Sequence, residues 1–137
     1  MSGMPRDAIE RLLTSAAFNA YDQFRVGSLG DGVCTIEVPF RDEFERPGGT
    51  VSGPVFMAAA DVAMWLAVAT RHDGDGAWVT VDLKTAFLRA ARREPFTCTG
   101  RVVKVGRQII YGVAECVRGD GVLLTHHTLT YARAGAD

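Results

Sequence analysis

Residues 46–70 read RPGGTVSGPVFMAAADVAMWLAVAT, and the fold turns on them. From Pro54 to Thr70 the chain is apolar apart from Asp61 and the closing threonine. A segment this oily on all sides predicts a helix over about 55–70, buried on most of its faces. Ser52-Gly53-Pro54 marks its start, because proline suits the first helical position and serine or glycine suits the cap. HDGDG at 72–76 marks its end as a turn. The stretch is at the bottom of the membrane-spanning range and carries a carboxylate in its middle, so it reads as a core helix and not as a membrane anchor.

Working outward, Ile9, Leu12, Leu13 and Ala16 recur at helical spacing after Pro5, which predicts a short amphipathic helix over about 5–15. GVCTIEVPF at 32–40 alternates as a strand does, and RDEFERPGG reads as an irregular loop. Beyond the central helix, four strands are expected at about 77–88, 95–105, 108–117 and 122–131. Gly106-Arg107 and Gly119-Asp120-Gly121 supply tight turns, so the last three strands form an antiparallel meander. The order is short helix, strand, long helix, four strands: an α+β architecture with helix and sheet segregated, in which a curved antiparallel sheet wraps one long central helix. A helix so apolar needs more cover than five strands readily give, which favours pairing of two copies, as a homodimer or a dimer of dimers.

Composition bounds the rest. The 137 residues suit one domain, 1–137, with 47% hydrophobic and 23% charged residues, as in ordinary globular chains. Fifteen basic against sixteen acidic residues leave a net charge of -1, so no global charge draws the chain to nucleic acid or to an anionic membrane. Cys34, Cys98 and Cys116 are odd in number and lie in apolar or alternating runs, which suits core thiols in a reducing, cytoplasmic setting. Arg6, Asp7, Glu10 and Arg11 interrupt the N-terminal region where a secretion signal needs an apolar run.

Chemistry points to Asp61. A carboxylate on a buried helix is costly unless something partners it, so it either satisfies a structural donor such as an arginine or serves a reaction. Met57, Ala58, Met64 and Trp65 stand three or four residues away and share its side of the helix, as an acyl slot would require. The glycine-rich approach Gly48–Pro54 offers close backbone access, and the free N–H groups of a helix start suit a developing oxyanion. Gly53 and Asp61 are eight residues apart, roughly 12 Å along a helix, so one reacting group cannot touch both in one chain. If both act on one carbonyl, they come from two subunits.

Over about residues 33–131, the stretches RPGGTVSGPVFMAAADVAMWLAV, TVDLKTAFLRAA and GRVVKVGRQIIYGVAECVRGDGVLL resemble the phenylacetate-pathway (PaaI-like) type of hotdog-fold thioesterase. The resemblance implies hydrolysis of a small aryl- or medium-chain acyl-coenzyme A, with no cofactor beyond the coenzyme A carried by the substrate. It implies Asp61 as general base or nucleophile, Gly53 N–H as the group polarising the carbonyl, and Thr80 as a hydroxyl orienting the attacking water. Strand parity predicts Thr80 on one face with Asp82 and Lys84, opposite Val79, Val81 and Leu83. Family members read His-Gly-Gly where this chain reads Ser52-Gly53-Pro54; Ser52 can donate a hydrogen bond but supplies no imidazole, and Pro54 removes a backbone donor.

Arg89, Arg92, Arg93, Lys104 and Arg107 gather at strand ends and turns. By themselves they read as a solvated rim, and the resemblance singles out Arg89 and Arg107 as phosphate contacts. Adjacent His126 and His127 point to opposite faces of a strand and cannot chelate together, and with His72 they show no zinc spacing. No serine-nucleophile elbow, phosphate loop or dinucleotide fingerprint is present. The alternative from a different class is a hotdog protein that captures an acyl-coenzyme A or small apolar ligand without turning it over.

Overall fold

The computed structural model describes residues 3–72 and 78–134. Two short helices, α1 (Arg6–Ser15) and α2 (Asn19–Asp22), lead into strands β1 (Arg25–Gly30) and β2 (Val33–Val38). A 3-10 turn (Asp42–Phe44) and a two-residue ladder of β3 (Glu45–Arg46) with β4 (Thr50–Val51) precede the long helix α3 (Gly53–Ala69). Strands β5 (Trp78–Phe87), β6 (Phe96–Val105), β7 (Ile109–Arg118) and β8 (Leu123–Arg133) complete the chain. Six strands form one antiparallel sheet in the order β1-β2-β6-β7-β8-β5, and α3 lies on its inner face. This is the hotdog fold. The turn expected at 72–76 lies, after His72, outside the described residues.

The expected meander is present as β6-β7-β8, and β5 adds to β8 as the far edge. The opposite edge departs from expectation: β1 lay unread in the sequence. Its RVGSLG carries two glycines and a serine, and a register shift between Val26 and Leu29 breaks the alternation that marks a strand. The 41–49 segment is likewise more ordered than a plain loop. Gly48 (φ 107°) and Gly49 (φ 80°) take left-handed turns that L side chains resist, and these close the β3–β4 ladder.

Small residues set the depth at which α3 sits. Ala59, Ala60, Ala63 and Ala67 are buried along it, and Gly100 of β6 and Gly112 of β7 lie beneath. A Cβ on Gly100 would stand 2.6 Å from the Ala63 carbonyl carbon and 2.7 Å from Met64 N. One on Gly112 would meet the Met64 methyl and sulfur. The helix backbone therefore rests almost on the sheet, and Met64 is fully buried in it. The expectation that Met64 lines an acyl slot is corrected here: three residues on from Asp61, its side chain turns into the core.

The sheet leaves one stripe of α3 uncovered. Pro54 and Met57 are exposed, and Ala58, Asp61 and Trp65 are half-buried, at the three- and four-residue spacing of a single helix face. Asp61 lies in the middle of that stripe. Among the described residues no helix is long and apolar enough to cross a membrane. Cys34, Cys98 and Cys116 are buried free thiols. His126 and His127 point to opposite faces, the former to Glu115 at 3.1 Å and the latter, fully buried, between the hydroxyls of Thr85 and Thr125.

Candidate active site

Asp61 is held by hydroxyls from two adjacent strands. Thr80 Oγ1 of β5 reaches its Oδ1 at 2.6 Å, and the Tyr131 hydroxyl of β8 reaches the same Oδ1 at 2.8 Å. The Tyr131 hydroxyl also stands 2.9 Å from the Asp61 main-chain oxygen. Oδ2 has no partner among the described residues. Burial, together with the Asp61 carboxylate beside it, pushes the Tyr131 phenol well above the usual tyrosine range, so it stays a proton donor at any working pH. The carboxylate borders a pocket of about 270 Å³ lined by Phe18, Val62, Trp65, Trp78, Val79, Thr80 and Tyr131. Phe18, carried at the corner between α1 and α2, places its ring 6.1 Å from that of Trp65.

Thr80 reaches Asp61 because of a bulge. The register runs Thr80 to Tyr131 and then Asp82 to Thr130, so Val81 is an extra residue on β5. Simple parity fails at that point. Thr80 shares the inner face with Leu83, which packs on the core, and with Thr85, which bonds His127; Val81 and Asp82 are exposed. The expected grouping of Thr80 with Asp82 and Lys84 is therefore overturned.

The start of α3 forms a second concavity. Ser52 N donates to Phe44 O at 2.8 Å and Val51 N to Ala91 O at 2.9 Å, which fixes the chain as it enters the helix. Ser52 takes the cap position with no side-chain cap bond, and Pro54 occupies the first turn. Gly53 N–H has no acceptor among the described residues, as the first amides of a helix do not. A Cβ at Gly53 would approach the Phe87 ring to 3.3 Å, so a bulkier residue would crowd the groove. This groove, about 480 Å³, is lined by Gly53, Phe56, Phe87, Leu88 and Arg89, with Arg46 on the rim that β3 supplies.

The structure thus brings Asp61, Thr80 and Trp65 into one pocket, and Gly53, flanked by Ser52, together with Arg89 into another; the two share no lining residue. Met57 lies on the uncovered stripe and lines neither. Arg107, in the β6–β7 turn, stands by Arg133 and the start of β5, whereas Arg89 follows the end of β5. Ten residues of strand separate those ends by about 30 Å. Sequence reasoning missed Tyr131, Phe18 and Trp78. Tyr131 sits at an inward strand position, a signal that was available, but nothing local ties it to a residue 70 positions away.

A hotdog sheet around a helix whose exposed stripe carries a hydroxyl-bonded carboxylate gives the architecture, and a sequence match gives the class. Residues 48–125 match the thioesterase superfamily, and the chain belongs to that family. A protein of Saccharolobus solfataricus provisionally named an esterase is 35% identical over 121 residues, 87% of this chain and 85% of its own. The solved structure of the conserved protein PA5202 of Pseudomonas aeruginosa is 29% identical, with a TM-score of 0.82 over 90% of this chain and 98% of its own. The PaaI protein of the phenylacetic acid degradation operon of E. coli, 16% identical, shares the fold at a TM-score of 0.81 over 90% of this chain and 88% of its own. The chain is a hydrolase of this superfamily.

Proposed function

We propose that the protein hydrolyses small aryl- or medium-chain acyl-coenzyme A thioesters at sites shared between two copies of the chain. The observation that carries this reading is the Asp61 carboxylate, fixed through Oδ1 and open through Oδ2, beside an aromatic pocket. Asp61 takes a proton from water, the water oxygen attacks the thioester carbonyl, and Gly53 N–H of the second copy stabilises the oxyanion. Collapse expels the coenzyme thiolate, which takes up the proton held by Asp61, leaving a carboxylic acid and the carboxylate restored. The acyl group fills the pocket of Trp65, Phe18 and Trp78.

In this reading two α3 helices approach antiparallel along their uncovered stripes, the half-buried to exposed face of Pro54, Met57, Ala58, Asp61 and Trp65. If Gly53 of each copy faces Asp61 of the other, residue 57 lies midway and Met57 meets its own counterpart. The same arrangement brings Arg89 of one copy toward the end where Arg107 of the other stands, where both can meet coenzyme phosphates. Ser52 borders the Gly53 amide and can donate to the carbonyl from there.

The test is thiol release from a panel of aryl, short and medium aliphatic acyl-coenzyme A esters. Turnover of at least one class is expected. Stoichiometric binding heat with intact ligand across the whole panel would count against the reading.

A further inference from the structure

Resting on that reading, we propose that Tyr131 is a positioning residue for the hydrolysis: with Thr80 it pins one oxygen of Asp61, so that the other is the oxygen offered to water. An aspartate carboxyl turns easily about its last bond, and its two oxygens are chemically alike. Two donors at 2.6 Å and 2.8 Å on the same Oδ1 remove that freedom, because hydrogen bonds to a charged acceptor are strong and directional. Oδ2 is then the oxygen left without a partner among the described residues, on a side chain that lines the pocket.

The two donors differ in what holds them. Thr80 is on β5, the edge strand of this chain, at the Val81 bulge, and is itself exposed. Tyr131 is on β8, bonded to β5 on one side and β7 on the other, and is 2% exposed. Its hydroxyl also stands within reach of the Asp61 main-chain oxygen, so it references the carboxylate to the helix backbone as well as to the sheet. Tyr131 is therefore the rigid support and Thr80 the adjustable one. The phenol does not touch the reacting atoms; it sets where the base stands when water arrives.

The experiment compares Tyr131→Phe, Thr80→Val and Asp61→Asn by steady-state kinetics on whichever thioester the wild type turns over. Tyr131→Phe keeps the ring and its packing. It is expected to lower kcat on the order of 10- to 100-fold, the loss that follows when a reacting group is held out of line, and to leave KM within about twofold. Thr80→Val is expected to lower kcat less. A kcat for Tyr131→Phe within about twofold of wild type overturns the inference while Asp61→Asn remains inactive. A Tyr131→Phe loss confined to KM and melting temperature also overturns it, because that marks a structural role. An Asp61→Asn variant with wild-type rates overturns both the inference and the reading beneath it.

Discussion

Asp61→Asn is expected to lower kcat about 10²- to 10⁴-fold, the range over which a positioned base contributes, with KM little changed. The substitution is nearly isosteric. Its amide oxygen can still accept from Thr80 and Tyr131, so the pocket and the helix register survive, and what disappears is the ability to take a proton. Asp61→Ala tests the same point with less structural economy. It strands two hydroxyls in a half-buried space, although the Tyr131 hydroxyl keeps the main-chain oxygen at 2.9 Å as an acceptor. Both variants are checked by thiol release, with circular dichroism confirming the fold.

Gly100→Ala is expected to destabilise the protein by about 3 kcal/mol, near the upper end for overpacking, and to lower the melting temperature by about 10 °C. The reason is what the new methyl meets. At 2.6 Å from the Ala63 carbonyl carbon and 2.7 Å from both its oxygen and Met64 N, it strikes helix backbone, which cannot swing aside as a side chain can. The chain can accommodate it only by lifting α3 from the sheet. Ala63 is two residues from Asp61, so lifting the helix also draws the carboxylate away from Thr80 and Tyr131, and activity should fall along with stability. Gly112→Ala should cost less. Its nearest obstacles are the Met64 methyl and sulfur, which can rotate, though the Arg101 carbonyl oxygen at 2.7 Å keeps the change from being free. Thermal melts of the two variants side by side give the comparison.

The central helix and the strands after it were legible because their patterns are strong and local. Strands β5 to β8 fall within two residues of where alternation and turns placed them. Three features were not legible, each for a physical reason. A helix apolar on nearly every side has no phase, so the sequence could not say that Met64 faces the sheet and Met57 faces out; the glycines of β6 and β7 decide that. One extra residue, Val81, reverses the parity of β5, and no rule of alternation detects a bulge at a β-branched residue that suits either face of a strand. Tyr131 is an inward strand residue like its neighbours until the fold sets it against Asp61.

In the proposed reaction Asp61 is a working base that meets a carbonyl held by the other copy's helix start. Mixing Asp61→Asn with Gly53→Val, whose side chain crowds the groove against Phe87, and letting the subunits re-assort tests this most directly. If each site takes Gly53 from one chain and Asp61 from the other, half of the dimers contain one intact site out of two. Activity then returns to about a quarter of the wild-type level from two inactive parents. If both residues serve a site within one chain, every site stays broken, and a mixture as inactive as its parents contradicts the account.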